Sequence, residues 1–164
     1  ELPLAAGARA ELVKDGFVFV EGPVWSDQAG AFFFSEMDFN SVGPNGPPSK
    51  IHQLVLDAQK LTAEAAHPEA SCAALDKAAR AYLTKQGFGK YFGHALGHGV
   101  GLEIHERPVL SEKSLDIVKP GMVFTIEPGI YIPKWGGVRI EDVFACTSKK
   151  IQQLSQINKT LLSL

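Results

Sequence analysis

Apolar side chains recur every three to four residues through the middle of the chain, which is the spacing of one face of an α-helix. We predict a first helix that begins near Ser49, as its N-cap, and ends before Pro68. A second helix is predicted over residues 71–86, with Gly87 directly after its C-terminus. The positions expected to face inward are Ile51, Leu54, Val55, Ala58, Leu61 and Ala65 in the first helix and Leu75, Ala78, Ala79, Tyr82 and Leu83 in the second.

The N-terminal part of the chain has short runs of aromatic and β-branched residues instead of a helical period. Residues 17–25 and 32–34 lie on either side of a polar, glycine-containing turn, which predicts a β-hairpin. Residues 42–48 follow, five of them proline or glycine, and this cluster of turn-forming residues predicts a boundary. We therefore divide the chain into a hairpin segment, residues 1–50, and a second unit, residues 51–164.

The C-terminal part contains two longer β-forming runs. Residues 122–132 and 138–147 are predicted as strands around a turn at 133–137. Residues 151–164 are predicted as a short strand and a tail. Two helices combined with an antiparallel sheet predict the α+β class.

Composition and charge exclude several classes of protein. Sixteen Lys and Arg against eighteen Asp and Glu give a net charge of −2, which is no electrostatic footprint for nucleic acid or an anionic membrane. No apolar run reaches the length of a membrane helix. Cys72 and Cys146 cannot build a disulfide framework, so we expect a reducing compartment and a cytoplasmic protein.

Three histidines lie close together in the glycine-containing text HALGHGVGLEIHE: His94, His98 and His105. If residues 94–98 are extended, His94 and His98 lie on one face of the strand. Glycines allow a backbone or a ligand to approach closely, and imidazole is the commonest metal ligand. A single histidine would suggest a structural residue, but three in this setting favour a binding site.

Glu127 and Glu141 are equidistant from Lys134, the centre of the predicted turn, so the two carboxylates face each other in that register. Opposed like charges destabilise a sheet, and two buried carboxylates do not both ionise cheaply. A shared proton, an arginine or a cation must compensate, unless the pair lies solvated at an exposed edge. Arg139 lies on the face of Glu141, and a divalent metal with His98 as nitrogen ligand is the strongest remedy.

Residues 51–164 resemble the C-terminal half of the catalytic domain in the prolidase, aminopeptidase P and methionine aminopeptidase family. The matching text is LVLDAQKLTAEAA, HALGHGVGLEIHERP, IVKPGMVFTIEPGIYIP and GGVRIED, and it is closest to Xaa-Pro dipeptidases. The resemblance implies half of a "pita-bread" domain, a curved antiparallel sheet with two helices on one face. It also implies hydrolysis of the peptide bond before proline in a small peptide.

The resemblance also assigns roles. His98 would be a metal ligand, Glu127 a ligand and general base, and Glu141 a ligand shared between two metals. His94 and His105 would bind substrate and stabilise the tetrahedral intermediate, and Arg139 would orient the acidic ligands. Oxygen ligands with one histidine suit Mn²⁺, the ion expected first, or Co²⁺ or Zn²⁺.

The aspartate pair that this family carries on a hairpin in its first half is absent from the chain. Glu36 is the candidate ligand from the N-terminal hairpin, and Glu21, Asp27 and Asp38 are weaker ones. The site then has too few ligands for two metals, so we expect one ion and partial or impaired activity.

Residues 10–53 show a second resemblance, to the opening blade of gluconolactonase and regucalcin-like propellers, carried by the text EGPVW and its Glu21. It implies a mosaic of a propeller fragment and half a peptidase. Two alternatives to a peptidase therefore stay open. One is an inactive chimeric or pseudo-enzyme fold that forms a homodimer to cover its exposed half, and the other is a sugar-lactone hydrolase fragment that uses Glu21.

Overall fold

The computed structural model describes residues 20–26, 31–36, 48–133, 135–157 and 159, with backbone alone for residues 20–26, 31–36, 48 and 49. The elements are β1 (Val20–Ser26), β2 (Ala31–Glu36), α1 (Pro48–Ala65), α2 (Cys72–Lys85), a 3₁₀ turn (Gly89–Tyr91), β3 (Gly97–Gly99), β4 (Glu106–Leu110), β5 (Val123–Ile126), β6 (Gly129–Ile132), β7 (Gly136–Arg139), β8 (Asp142–Cys146) and β9 (Ile151–Gln153).

The described elements confirm the α+β class, with two helices and antiparallel sheets. The main sheet has five strands in the order β4-β3-β5-β8-β9, and β6 and β7 form a two-stranded ribbon. The predicted N-terminal hairpin is confirmed as β1 paired with β2, which form a two-stranded sheet of their own. Neither helix in the described ranges combines the length and apolarity needed to cross a bilayer.

Helix α1 begins earlier than predicted. Pro48 is its first residue, where a proline loses no intrahelical hydrogen bond, so the prediction that Ser49 caps the helix is wrong. Leu61 and Ala65 are exposed, although the helical period placed them inward. Thr62 is the buried residue of that turn. Its hydroxyl donates a hydrogen bond to the Ala58 carbonyl oxygen at 2.8 Å, which compensates for the loss of hydration.

Helix α2 has the predicted ends. The Ser71 hydroxyl accepts a hydrogen bond from the Ala74 N–H, which is the role of an N-cap. Gly87 follows the C-terminus with φ +87°, a conformation that glycine adopts without a steric penalty. The face of α2 turned to the core carries Leu75, Ala79 and Leu83, all buried.

The two long predicted strands are each divided in two. Residues 122–132 contain β5 and β6, whereas residues 138–147 contain the end of β7 and all of β8, because β7 begins within the predicted turn. The predicted register is right, because Val123 pairs with Ala145 and Gly129 with Arg139 in one continuous alignment. The prediction of two uninterrupted strands is wrong, because regular pairing stops around Pro128, which has no backbone N–H to donate.

The core lies between the helices and the sheet. Phe124 and Phe144 stack across β5 and β8 with ring centroids 6.2 Å apart, and α1 and α2 cover the buried side chains of this layer. Cys72 and Cys146 are buried free thiols. Of the predicted strand and tail at 151–164, only residues 151–153 form a strand within the described part.

Candidate metal centre

Three side chains from distant parts of the chain meet at the break between the paired strands. His98 lies on β3, Glu127 follows β5, and Glu141 precedes β8. One ligand atom from each of the three lies within 4.8 Å of the other two. His98 Nε2 and Glu127 Oε1 lie 3.2 Å apart. The structure therefore brings together the three protein ligands that the sequence analysis put foremost.

His98 is held in the tautomer that a metal ligand needs. Its Nδ1 lies 3.0 Å from the Gly99 carbonyl oxygen, which can only accept, so Nδ1 carries the proton. In the neutral form of the ring the lone pair is then on Nε2, the nitrogen that faces Glu127. Ligating histidines commonly use their second nitrogen in this way, because the hydrogen bond fixes both tautomer and ring orientation.

The strand that carries His98 lies very close to its two neighbours. A Cβ atom at Gly97 would overlap the Thr125 carbonyl oxygen of β5, and one at Gly99 would overlap the Arg107 carbonyl oxygen of β4. The glycines on either side of His98 thus allow close backbone approach, as the sequence analysis expected. A register shift between His98 and Gly99 adds a local irregularity where the imidazole leaves the strand.

Glu127 is 7% exposed and both of its oxygens are held. The Thr125 hydroxyl donates to Oε1 at 2.9 Å, and Arg139 Nη1 lies 3.5 Å from Oε2. The backbone N–H of Glu127 donates to the Leu96 carbonyl oxygen at 2.8 Å, which joins this segment to the histidine segment. Its position is therefore set by side chain and backbone together.

Glu141 is exposed, so the expectation that both carboxylates are buried is wrong. Desolvation of the carboxyl group raises its pKa, and the negative charge of Glu127 raises it further. The charges of His98 and Arg139 act in the opposite direction. The net direction is upward, with desolvation of the Glu141 carboxyl group as its largest cause.

His94 and His105 differ in their settings. The His105 ring lies on the exposed segment after β3, with its centroid 4.1 Å from that of His98. His94 lies in a bend and only 97–99 is strand, so the condition under which His94 and His98 would share one strand face is not met. The ring of His94 packs edge-on against Phe92 and Tyr131 at 5.0 and 5.6 Å.

The polar atoms of His94 also define its tautomer. Nδ1 donates to the Ala95 carbonyl oxygen at 2.8 Å, and the buried Nε2 has no hydrogen-bond partner among the described residues. Desolvation lowers the pKa of the ring, which favours its neutral form. The neutral ring therefore keeps an unused hydrogen-bond acceptor at the buried Nε2.

The acidic candidates of the N-terminal hairpin are only partly described. Glu36 ends β2 opposite Val20, and Glu21 lies on β1 opposite Ser35. The side chains of Glu36 and Glu21 lie outside the described residues. Asp27 and Asp38 lie outside them altogether.

An ion pair between partly buried Arg80 and fully buried Asp76, which the sequence analysis missed, supports the histidine segment. Arg80 donates through Nε and Nη2 to the two oxygens of Asp76, at 2.7 and 3.0 Å. Its Nη1 and Nη2 also donate to the carbonyl oxygens of Phe92 and His94, both at 2.8 Å, while Asp76 Oδ1 accepts from the Leu96 N–H. The spacing of Asp76 and Arg80 could have been noticed, although it usually marks an exposed helix pair.

The donor set fits a divalent cation. Two carboxylates and an imidazole with its lone pair on Nε2 are a ligand set for Mn²⁺, Co²⁺ or Zn²⁺. Desolvation and the charge of Glu127 both raise the pKa of Glu141, and a doubly positive charge would favour its ionised form. The orienting groups of His98 and Glu127 are the partners that metal ligands typically have.

Comparison with known proteins gives one family. The sequence profile described as metallopeptidase family M24 matches residues 28–148. The Xaa-Pro dipeptidase of Pyrococcus furiosus is 50% identical over 119 residues, which cover 73% of this chain and 34% of that protein. The putative dipeptidase YkvY of Bacillus subtilis is 38% identical over 155 residues, 94% of this chain and 42% of that protein.

Solved structures lead to the same family. The prolidase from Pyrococcus furiosus superposes with a TM-score of 0.68 at 44% identity, over 77% of this chain and 37% of that one. The Xaa-Pro dipeptidase from Bacillus anthracis gives 0.71 at 37% identity, over 82% of this chain and 37% of that one. The chain thus spans between a third and somewhat over two fifths of the relatives' lengths.

The family match also bears on the N-terminal segment. It begins at residue 28 and crosses the boundary predicted near residue 50. The propeller resemblance of residues 10–53 has no support in these comparisons, and neither has the mosaic that it implied.

Proposed function

Because the chain belongs to metallopeptidase family M24, we propose that His98, Glu127 and Glu141 bind a divalent cation for hydrolysis of the peptide bond before proline. The observation that carries the proposal is the convergence of three ligand atoms within 4.8 Å, from three segments that are distant in sequence. The names of the similar proteins, Xaa-Pro dipeptidase and prolidase, support the substrate class.

We propose one ion, with Mn²⁺ first and Co²⁺ or Zn²⁺ as alternatives. Three ligand groups of the described residues suffice for one ion when water completes its shell, and hard oxygen donors with one imidazole suit these metals. Glu36 stays a candidate for a fourth ligand. When bound, the cation would supply Lewis acidity toward the peptide carbonyl and toward water.

The remaining chemistry falls to the side chains around the ligands. Glu127 is the candidate general base. One of its oxygens accepts a hydrogen bond from the Thr125 hydroxyl, and the other lies near Arg139. His94 presents an unpartnered Nε2 lone pair, which suits an N–H of the substrate. His105, exposed beside His98, would contact the substrate from the open side.

We propose that hydrolysis by this chain alone is weak. The support is the ligand set: the described residues bring together three candidate ligands, and residues 1–50 do not contain the aspartate pair that the family resemblance implies. Homodimerisation and a cytoplasmic location stay predictions, and sedimentation equilibrium tests the first of them: a monomer at all concentrations would contradict it.

The test is a calorimetric titration with Mn²⁺, followed by an assay with an Ala-Pro dipeptide. We expect Mn²⁺ binding and weak turnover, both lost in His98→Ala and Glu141→Gln. His67→Ala is the matched control, because His67 is an exposed imidazole that bonds only its own loop at Pro68 among the described contacts. Absence of Mn²⁺, Co²⁺ and Zn²⁺ binding would contradict the proposal, and binding without turnover would favour the pseudo-enzyme alternative.

A further inference from the structure

Gln59 is a buried side chain of α1 that reaches both strands of the metal centre. It is 3% exposed. Its amide nitrogen donates to the carbonyl oxygens of Ile126 and Ile140, each at 3.3 Å. These two residues directly precede Glu127 and Glu141 in the chain. A single NH₂ group, which has two hydrogens, therefore links the backbones of both acidic ligands.

The backbone at this point needs an outside donor. The Ile140 N–H donates to the Pro128 carbonyl oxygen at 3.3 Å, as in an antiparallel pair. The reciprocal bond, from residue 128 to the Ile140 carbonyl, cannot form because proline has no N–H. A buried carbonyl without a donor is costly, and the Gln59 amide supplies the missing one.

We propose that Gln59 is a positioning residue, which sets the separation of Glu127 and Glu141 by holding the carbonyl groups in front of them. The proposal rests on the proposed function, since it concerns the ligands of that same site. Regular strand pairing is interrupted between β5–β8 and β6–β7, and of the two ladder hydrogen bonds between residues 128 and 140 only the one that the Pro128 carbonyl oxygen accepts can form. The helix side chain takes over that role.

A buried polar group could also act on stability alone, and the chain offers a control for that case. Thr62 lies one turn further along α1 and is fully buried. Its hydroxyl bonds the Ala58 carbonyl within the same helix and contacts neither ligand strand through a hydrogen bond. Thr62→Val removes a buried polar group from the same helix without touching the acidic ligands.

The experiment compares Gln59→Met with Thr62→Val in the full chain, by thermal unfolding without metal and by calorimetric titration with Mn²⁺. Both substitutions are expected to lower the Tm. Gln59→Met is expected to weaken Mn²⁺ binding about tenfold or more, as loss of groups that orient ligands commonly does, and Thr62→Val less than about twofold. A folded Gln59→Met chain with unchanged Mn²⁺ affinity overturns the inference alone, whereas an unmodified chain that binds no metal overturns the proposed function first.

A second variant keeps the test decisive if Gln59→Met does not fold. Pro128→Ala, added to the same chain, restores a backbone N–H beside the Ile140 carbonyl. We expect the double variant to fold and to recover part of the Mn²⁺ affinity, since the donor lost at Gln59 is replaced. A double variant that stays unfolded, or binds Mn²⁺ no better than Gln59→Met, overturns the inference.

Discussion

Thr125 and Glu127 face the same way from β5, and the Thr125 hydroxyl donates a hydrogen bond of 2.9 Å to Oε1 of the Glu127 carboxylate. The same hydroxyl accepts from the His98 backbone N–H at 3.0 Å. One small side chain thus connects the strand of the imidazole with the buried acid. Two of the three candidate ligands therefore have a common support.

Thr125→Val should weaken metal binding more than its effect on folding explains. The substitution keeps the shape but removes the donor to Glu127 and the acceptor of the His98 N–H, so Mn²⁺ affinity should fall about tenfold. The free energy of unfolding should fall by about 1–3 kcal/mol, the cost of leaving a buried group unsatisfied. Calorimetric titration and urea unfolding measure the two effects.

Thr147→Val is the control for Thr125→Val. The Thr147 hydroxyl bonds only within its own turn at residues 147–150, so this variant should lose stability and keep its Mn²⁺ affinity. Equal losses of affinity in the two variants would contradict a specific role of Thr125.

Gly97→Ala should disrupt the sheet at the metal centre. The added Cβ would overlap the Thr125 carbonyl oxygen, which is backbone and cannot turn away, so β3 and β5 must separate. We expect a loss of about 3 kcal/mol or more, in the range of severe core substitutions, or failure to fold. Circular dichroism and urea unfolding measure it.

Gly93→Ala serves as the matched control, because an added Cβ there meets nothing within 4 Å. It should change the free energy of unfolding by less than about 1 kcal/mol. Similar behaviour of the two alanine variants would show that close approach of β3 and β5 is not required.

Arg80→Met should be strongly destabilising. It leaves the Asp76 carboxylate, which is fully buried, without its partner and removes the donors to the Phe92 and His94 carbonyl groups. Breaking a buried ion pair from one side costs about 3–5 kcal/mol. Lys77→Met removes one positive charge from an exposed position of α2 and should cost less than about 0.5 kcal/mol. Urea unfolding compares them, and equal small effects would contradict the supporting role of Arg80.

Acid should destabilise the chain in part through His52. Desolvation lowers the pKa of this imidazole, 8% exposed on α1, below its usual value of 6.5. Between the lowered pKa and pH 6.5 the unfolded chain binds more protons than the folded chain. The contribution of neutral His52 to the free energy of unfolding is therefore complete above pH 6.5 and is lost as the pH falls through that window. His52→Leu should flatten this slope when unfolding is measured from pH 8 to pH 5. An unchanged slope would contradict the prediction. The free energies of unfolding of the two proteins at pH 8, where His52 is neutral, give the effect of the substitution on packing alone.

Local sequence patterns predicted much of the fold and part of the site. The ends of α2 follow from Ser71 and Gly87, because capping depends on residues adjacent to the helix. The alignment of Glu127 with Glu141 follows from their equal distance from the turn, because a hairpin has one register once its turn is placed. Both inferences use only neighbours along the chain.

The arrangement that supports the ligands depended on contacts between distant segments. No periodic pattern in the sequence predicts strands β3 and β4 or the exposure of Glu141. Nor does one predict the hydrogen bonds from Gln59 and Arg80 to the backbone. The spacing of apolar, polar and glycine residues along the sequence determined which residues could form helices, strands or a ligand set. Tertiary packing alone decided which donors reach the carbonyl groups near Pro128 and His94, because such bonds join residues that become neighbours only after the helices cover the sheet.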